Sequence, residues 1–569
     1  MKRSVKIMAL LLCLAMLVPQ LVSCGNDENI DTFNKNTNDV STESAVVTSD
    51  EAEEKYIFEI VYPTVSASEL EFQLTDGYLK RFKSKLNETK RFFAKNKRGS
   101  EDEFRDLVYE LLSLKAEIAT QRDIAYLLYY YDMSASGAWD DYLYAYELYV
   151  EAHDLFWAFY NQSKNSGNVL ADVIKDIVRT EFGGNLVSVF PDADAYDYEM
   201  QVLEGEYESR RNENASDEEM FATYKKYLIA ANGFATSSST DHYYEYACKH
   251  MYYRKDTVAQ RNTLREYTKK YLVPLCKEFK EKSDAYDRHL TWIERALSDK
   301  YINSGYDSFK ENYLFDYFST LPVNSRETMK SAFEKDRVLI GDRRNSYNTA
   351  MVYAAGNTPI CYFHESQATL GTMAHELGHY YARVFQGNSH YSYDLRETHS
   401  TANTLLLYSH LSNKLDSKAF TSAEIYFVYT LLYQTVSSVI KDEFDERIYA
   451  RDPSTLNLAD FERIMSELID EYGVRDLSDR LADQLMSYWR RLGIMYPMKN
   501  YSYATAHITS LQIYIRSKVD YAAAGEIYRR IVEELENEGD FISTIVKAGL
   551  KTPYDEQTYI ELKKLTDIY

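Results

Sequence analysis

The chain has 569 residues and a formal net charge of −23, from 88 acidic and 65 basic side chains. So acidic a protein lacks the basic surface that nucleic acid or anionic lipid requires, and we expect no nucleic-acid partner. The length is enough for two or more lobes that each bury a hydrophobic core.

Residues 1–23 have the composition of an export signal. Three basic side chains precede an apolar run that Pro19 and Gln20 interrupt, so the run is shorter than the about 20 apolar residues of a membrane span. The letters LVSC that end at Cys24 resemble the bacterial lipobox, in which cleavage leaves the cysteine as a lipid-modified N-terminus. We therefore predict an exported bacterial lipoprotein, attached to the outer face of the cell membrane only through Cys24. The alternative is a plain secretory signal.

A polar, acidic stretch follows the signal at residues 24–55. It has no helical periodicity, which predicts a flexible tether. Beyond it the chain has three cysteines, Cys248, Cys276 and Cys361. An odd and sparse set does not make a disulfide framework, so we expect the hydrophobic core to hold the fold together.

Helical periodicity dominates the chain beyond the tether. In SEDEFRDLVYELLSLKAEI, Ser100 and Glu103 have the spacing of a capping box, and an apolar stripe follows. NLADFERIMSELIDEYG has the same organisation, with Asn457 as the expected cap and Gly473 as the expected end. These patterns predict a mainly α fold.

One region, NTAMVYAAGNTPICYFHES, departs from the helical pattern. Two short apolar runs, 351–354 and 360–363, flank Gly356 and Asn357, which is the pattern of a β-hairpin. Pro359 precedes the second run, and proline favours an edge strand over a central one. The sequence thus predicts a small β element directly ahead of the stretch TMAHELGHYY.

The stretch TMAHELGHYY places His375 and His379 four residues apart. In a helix, predicted here from near Ser366 to Gly387, their rings project from one face and could hold one Zn²⁺ at about 2.0–2.1 Å. Glu376 lies to the side of this pair, where it could take a proton from a water molecule at the metal. The alternative is a solvated helix with two surface histidines, so a third ligand has to decide.

The third ligand has several candidates. The metzincin class needs a glycine and a histidine seven and ten residues after the first histidine, and this sequence has neither. A glutamate from a second helix is the other arrangement, and SYDLRETHSTANTLLLYSHL offers Glu397. Spacing favours Glu397, although it could merely complete a capping box with Asp394. Asp394 itself, His390 and His399 are the alternatives.

These motifs together resemble a known family. PICYFHESQATLGTMAHELGHYYARVF is similar to the active-site segment of the oligoendopeptidase F and thimet oligopeptidase family of gluzincins. ETHSTANTLLL resembles the family's Glu-x-x-Ser-Thr stretch at Glu397, Ser400, Thr401 and Asn403. FISTIVKAGLKTPYDEQTYIELKKL is similar to its terminal helical segment, so the resemblance extends from about Asn348 to the C-terminus.

The resemblance implies a mainly α, two-lobed metallopeptidase with a deep central channel and the small β element next to the metal-binding helix. It also implies one Zn²⁺ per chain at the channel floor, held by His375, His379 and Glu397. YPMKNYSYATAHITSLQIY is similar to the family's segment whose tyrosines hold the scissile carbonyl. That similarity implies this role for Tyr503 and Tyr501.

The sequence departs from the family at two positions. Thr404 stands where many members have a second glutamate, and Gly493 stands near the place of a histidine that precedes the tyrosines. His507, one turn after Tyr503, is the candidate substitute for that histidine. If the helix does not present it, Tyr501 and Tyr503 would have to stabilise the oxyanion alone.

The resemblance leads to an expected organisation and function. We expect residues 56–200 to form an N-terminal helical lobe and residues 201–569 to form the catalytic domain. The function would be that of a monomeric, zinc-dependent oligoendopeptidase that cuts internal bonds of short unstructured peptides outside the cytoplasm, with Glu376 as the base. The strand 360–363 would pair with the substrate backbone. The alternative is a lipid-anchored peptide-binding protein with weak or no turnover.

Overall fold

The computed structural model describes residues 59–569, apart from residues 96, 183–190, 304–307, 387–390, 416, 493, 495–496 and 536–539. The predicted export signal, the lipid attachment site Cys24 and the tether lie outside the described residues. So do Gly387, His390 and Gly493.

Helices make up most of the described chain. Those of the first half are α1 (Asp76–Ala94), α2 (Glu101–Tyr131), α3 (Ala138–Ser163), α4 (Ala171–Phe182), α5 (Pro191–Asn212), α6 (Asp217–Ser237), α7 (Tyr243–Tyr246), α8 (Val258–Tyr267), α9 (Val273–His289), α10 (Trp292–Asn303), α11 (Ser308–Phe318) and α12 (Val323–Glu334). A 3₁₀ turn at Ala67–Glu69 precedes them, and π-helical turns extend α7 over Ala247–Met251 and α8 over Thr268–Leu272.

The second half is equally helical. It contains α13 (Leu370–Gln386), α14 (Tyr393–Leu415), α15 (Lys418–Tyr449), α16 (Leu458–Glu471), α17 (Val474–Leu477), α18 (Asp479–Met486), α19 (Tyr488–Leu492), α20 (Asn500–Val519), α21 (Tyr521–Glu533), α22 (Phe541–Lys547), α23 (Glu556–Leu562) and α24 (Leu565–Ile568). A 3₁₀ turn at Pro453–Thr455 lies before α16. Within the described residues, no helix is both long and apolar enough to cross a membrane.

A three-stranded sheet separates α12 from α13. Its strands are β1 (Val338–Gly341), β2 (Ala350–Ala355) and β3 (Thr358–His364). β3 is the central strand, because it runs antiparallel to β2, with Val352 opposite Cys361, and parallel to β1, with Leu339 opposite Tyr362. The predicted hairpin is confirmed, but the predicted edge position of 360–363 is wrong. β1 occupies the side of β3 that an edge strand would leave open.

Pro359 is compatible with this central strand because of its position. The parallel pairing with β1 begins at Cys361, two residues after Pro359. The missing N–H of the proline therefore removes no hydrogen bond from that ladder.

The turn of the hairpin is held by α2. The carboxylate of Asp123 accepts hydrogen bonds from the N–H of Gly356 at 3.1 Å and from the hydroxyl of Tyr353 at 3.2 Å. Gly356 has φ +60°, and a Cβ built there would lie 2.4 Å from Oγ1 of Thr120. Only glycine fits such a turn without strain. A helix from the first half of the chain thereby supports the sheet beside α13.

Two helices test the predicted capping patterns. α2 begins after Ser100 as expected, but the predicted capping box is wrong, because the Ser100 hydroxyl donates to the carbonyl of Lys97 instead. α16 follows the prediction, with Asn457 accepting from the N–H of Asp460 and an αL glycine, Gly473, after its end.

The hydrophobic core of the described residues has four clusters. One lies within residues 60–178, and a second joins α2 to one face of the sheet. The two largest clusters surround α13, α14, α15 and α20. Among these helices, α13 packs on α14, and α14, α15 and α20 pack against one another. The side chains on the facing sides of these four helices carry the candidate site.

Candidate metal centre

Helix α13 carries the two histidines of the opening motif. It begins at Leu370, four residues later than predicted, because the hydroxyl of Thr369 accepts from the N–H of Thr372 and caps the helix. Leu377 and Tyr381 on its apolar side are fully buried in the core. This orientation leaves His375 and His379 together on the opposite, partly exposed side.

Glu397 of α14 completes a group of three donors with these histidines. One ligand atom each of His375, His379 and Glu397 lies within 4.8 Å of the other two. Nε2 of His375 is 3.8 Å from Oε2 of Glu397, and the two imidazole rings are 4.9 Å apart at an angle of 84°. Among the described residues, no other His, Cys, Asp and Glu side chains form such a group.

The protonation of the group suits a metal ion. Burial lowers the pKa of His375 to about 4. Burial also holds the pKa of His379 well below its usual range, and the neighbouring His375 and His399 and the cations Arg396 and Lys499 lower it further. Both imidazoles are therefore neutral at neutral pH, which is the form that binds metals. Glu397 is fully buried. Two neutral imidazoles and one buried carboxylate fit a divalent cation, and this donor set is one that Zn²⁺ takes in peptidases.

The close approach of α13 and α14 brings Glu397 to the histidines. A Cβ added to Gly378 would lie 2.7 Å from the carbonyl oxygen of His399 and 2.7 Å from Cα of Ser400. Asn403 fixes the same contact, since its amide donates to the carbonyl of Ala374 at 2.6 Å. The glycine inside the HELGH motif thus allows the backbones to touch.

Replacing Gly378 by Ala should therefore destabilise the protein. The added methyl group has no space, and overpacking of this kind lowers the free energy of unfolding by about 1–3 kcal/mol. Gly371→Ala on the same helix is the matched control, because its Cβ would meet nothing closer than 3.4 Å, at the hydroxyl of Tyr408. Urea unfolding of both variants measures the difference, and equal stability of the two would contradict the steric role of Gly378.

The structure also places the alternatives to Glu397. Asp394 lies inside the first turn of α14, so it is not the cap of that helix, and the predicted capping box with Glu397 is wrong. The hydroxyl of Ser392 accepts from the N–H of Asp394 instead, at 3.2 Å. Hydroxyls of Ser392, Ser502 and Thr505 donate to the carboxylate of Asp394. Those bonds turn Asp394 away from a role as metal ligand.

His399 lies in the core rather than with the donor group. It is fully buried, its ring is 5.8 Å from that of Tyr391, and burial lowers its pKa to about 3. It is not among the three side chains that come within ligand distance of one another. His390, the remaining alternative, is outside the described residues.

Glu376 lies beside the donor group on the same helix. Its side chain is fully buried. Burial raises the pKa of the Cys361 thiol on β3, and the Glu376 carboxylate raises it further, so the two side chains are close. Glu376 therefore lies near the sheet, and it is not one of the three metal donors.

Tyr503 and His507 share one face of α20. Their rings are 6.2 Å apart, and His375 adds to the lowering of the pKa of His507, to about 3, that burial causes. This places His507 close to the donor group, as the substitution for the missing histidine requires. Tyr503 is partly exposed on the same side.

The ring of His507 also contacts α15. Its Nδ1 lies 3.1 Å from Oγ1 of Thr435, and the same hydroxyl is 2.7 Å from the carbonyl oxygen of Leu431. These contacts hold the imidazole against α15. Tyr503, which is partly exposed on the same side, is the candidate donor to an oxyanion.

Tyr501 lies on the opposite side of α20, because two residues correspond to a rotation of about 200°. Its side chain is fully buried, and its hydroxyl donates to that of Tyr554 at 3.1 Å. The guanidinium of Arg254 is 4.7 Å from the centre of its ring. The structure therefore does not bring Tyr501 to the donor group.

Sequence reasoning missed the cations around the site. Arg396 and Lys499 are near enough to His379 to lower its pKa further, and both lie over the ring of Tyr393, at 5.6 Å and 4.9 Å. Arg254 is buried next to the first turns of α14 and α20. Arg396 could have been suspected because it precedes Glu397, but no motif marks Lys499 or Arg254.

No protein-family model and no curated protein matches the chain. Solved structures, however, are similar to it over most of its length. A candidate oligoendopeptidase F from Bacillus anthracis is 13% identical with a TM-score of 0.61, covering 89% of this chain and 98% of that one.

Two further structures agree with this likeness. PZ peptidase A, solved with an inhibitor, is 13% identical with a TM-score of 0.61, over 88% of this chain and 99% of that one. A candidate peptidase from Chlamydophila abortus is 14% identical with a TM-score of 0.56, over 89% and 100%. At such identities the likeness shows a shared fold, and the chain has the helical fold of these peptidase structures.

Proposed function

We propose that this chain is a zinc-dependent oligoendopeptidase that hydrolyses internal bonds of short unstructured peptides. The observation that carries the proposal is the donor group of His375, His379 and Glu397 on two tightly packed helices, with Glu376 next to it. The fold shared with peptidase structures supports the same reading.

The donors and their neighbours have distinct roles in this proposal. Zn²⁺ held by His375, His379 and Glu397 would supply a Lewis acid that polarises the scissile carbonyl and lowers the pKa of water. Glu376 accepts the proton of the attacking water and returns it to the leaving amine. Tyr503 donates its hydroxyl hydrogen to the carbonyl oxygen as negative charge develops there.

The expected pairing of the substrate backbone with strand β3 has to be revised. Both sides of β3 are already paired, so a peptide cannot add to it. An extended substrate could pair only with an outer strand of the sheet, β1 or β2. Such pairing recognises the main chain and gives modest side-chain preference.

The experiment is a digest of a ladder of unstructured peptides of about 5–20 residues, a length that an extended chain at about 3.3 Å per residue could thread into a channel. Casein is digested in parallel, and products are read by mass spectrometry. We expect internal cuts in the peptides, intact casein, loss of cleavage with a chelator and its return with zinc. Rapid digestion of casein would instead indicate an open site, and release of single terminal residues an exopeptidase.

Peptide binding with weak or no turnover is the second candidate function. It is favoured by Gly493, which stands near the place where the family has a histidine, because the loss of one oxyanion donor costs on the order of 10²–10³ in rate. Zinc content does not separate the two functions. A quenched fluorogenic peptide that binds with zinc present but is not cleaved would favour this second function.

The proposed place of action is the outer face of the cell membrane, with Cys24 as the lipid attachment site and the folded part as a monomer. The proposal depends on the lipobox-like stretch before Cys24. Mass spectrometry of the N-terminal peptide from the producing cell tests it. An N-terminus without lipid mass on a released protein would argue for a plain secretory signal.

A further inference from the structure

The segment just before α8 has an unusual backbone. The π-helical turn Ala247–Met251 ends α7, and Tyr253 has φ +52°, in the left-handed region that residues other than glycine rarely adopt. π turns and left-handed non-glycine residues concentrate at functional sites, where the surrounding structure holds them in place. This backbone conformation places the side chain of Arg254 in the protein interior.

Arg254 is buried between α14, α15 and α20. Its Nη2 donates to the carbonyl of Met498, and its Nε donates to the hydroxyl of Ser502 at 3.4 Å. Nε is 3.9 Å from Oδ2 of Asp394, and Nη1 is 3.8 Å from Oδ1 of Asp442. The buried guanidinium of Arg254 therefore contacts α14, α15 and α20, and also Met498 just before α20.

Two of these contacts are at the starts of the helices that carry the site. Asp394 is in the first turn of α14, three residues before Glu397, and Ser502 is in the first turn of α20, directly before Tyr503. The hydroxyl of Ser502 also donates to Asp394 at 3.3 Å, which closes a triangle with Arg254.

The backbone of the same segment adds a further contact. The N–H of Tyr393, the first residue of α14, donates to the carbonyl of Tyr252 at 3.1 Å. The start of α14 is thus held by a main-chain bond and by the ion pair of Arg254 with Asp394. Both depend on the conformation of residues 247–254.

We propose that Arg254 is a positioning residue, which holds the first turns of α14 and α20 together and thereby sets Glu397 relative to Tyr503. The role rests on the proposed function, in which Glu397 binds the metal and Tyr503 the substrate carbonyl. Residues that orient metal ligands typically change metal affinity or activity by about 10–100-fold when they are altered. Small displacements of Glu397 or Tyr503 would lower the catalytic rate, because the reacting groups must meet within a narrow geometry.

Arg265 provides a matched control. It is also buried, and it pairs with Asp442 at 3.2 Å from the other side. Within the part of the chain that the structure describes, its other ion pairs are with Glu443 and Glu446 of α15, and none is with α14 or α20. Loss of Arg265 should weaken the core to a similar degree without moving Glu397 or Tyr503.

The test compares Arg254→Lys with Arg265→Lys in the protein with its full chain. Lysine keeps the charge but cannot reach Met498, Ser502 and Asp394 together. Zinc affinity is measured by competition with a chromophoric chelator, kcat and KM with a fluorogenic peptide, and Tm by calorimetry. We expect R254K to lose about tenfold or more in zinc affinity or in kcat, with little change in KM, and R265K to lower Tm alone.

The outcomes separate this inference from the function itself. If both variants lose the same Tm and keep wild-type zinc affinity and kcat, Arg254 is only a structural residue and the inference is overturned. If the wild type binds zinc but cleaves no peptide, the proposed function fails, while zinc affinity still decides the role of Arg254. If R254K does not fold, Ser502→Ala is the milder variant, because it removes only the hydroxyl that Arg254 and Asp394 share. It should also lower zinc affinity or kcat, with little change in KM. A wild type that binds no zinc would overturn both.

Discussion

Replacing Glu376 by Gln is expected to abolish peptide cleavage while zinc stays at about one per chain. The amide has nearly the same size and shape, so the buried position beside the donor group can accommodate it. It cannot accept the proton of the attacking water, and loss of a general base lowers kcat by about 10²–10⁴-fold. A fluorogenic peptide assay and zinc analysis by mass spectrometry measure the two quantities on the same sample.

Glu365→Gln is the matched control for this change. Glu365 is exposed after β3, ten residues before the first histidine, and its replacement removes the same charge without touching the site. We expect wild-type cleavage from it. Undiminished cleavage by Glu376→Gln would show that another residue is the base, and simultaneous loss of zinc would show that Glu376 takes part in metal binding.

The local features of the site could be predicted because they depend on helical geometry alone. His375 and His379 are one turn apart in any helix, so their shared face follows from spacing. Glu397 comes from a second helix, and its approach depends on Gly378 meeting the backbone of Ser400. The spacing favoured Glu397 over Asp394, His390 and His399 without deciding between them. The resemblance to the peptidase family then implied that Glu397 is the third ligand.

The wrong predictions concern contacts between distant parts of the chain. The edge position of β3 failed because β1, about twenty residues earlier, pairs with it in parallel, and a four-residue strand leaves a weak pattern in the sequence. Tyr501 and Tyr503 could not be separated because the rotation of α20 about its axis depends on its packing. No motif marks Arg254, because only the fold brings the partners of a buried ion pair together.

Replacing Glu397 by Gln is expected to remove the metal from the protein. The two histidines alone would leave the ion with one fewer protein ligand and without a carboxylate to offset its charge. Metal that binds only the folded state stabilises it, by about 4 kcal/mol at a thousand times the dissociation constant. Wild-type protein should therefore gain a large increase in Tm on addition of zinc, and Glu397→Gln should gain little or none.

The control for Glu397→Gln is His399→Gln, on the same helix. His399 is fully buried but outside the donor group, so its loss perturbs the core of α14 while all three ligands stay in place. This variant should start from a lower Tm and still show the wild-type increase with zinc. If instead Glu397→Gln keeps the zinc-dependent increase and His399→Gln loses it, His399 is the third ligand. If both variants keep the increase, the third ligand is neither residue, and the packing of α13 on α14 serves stability rather than metal binding.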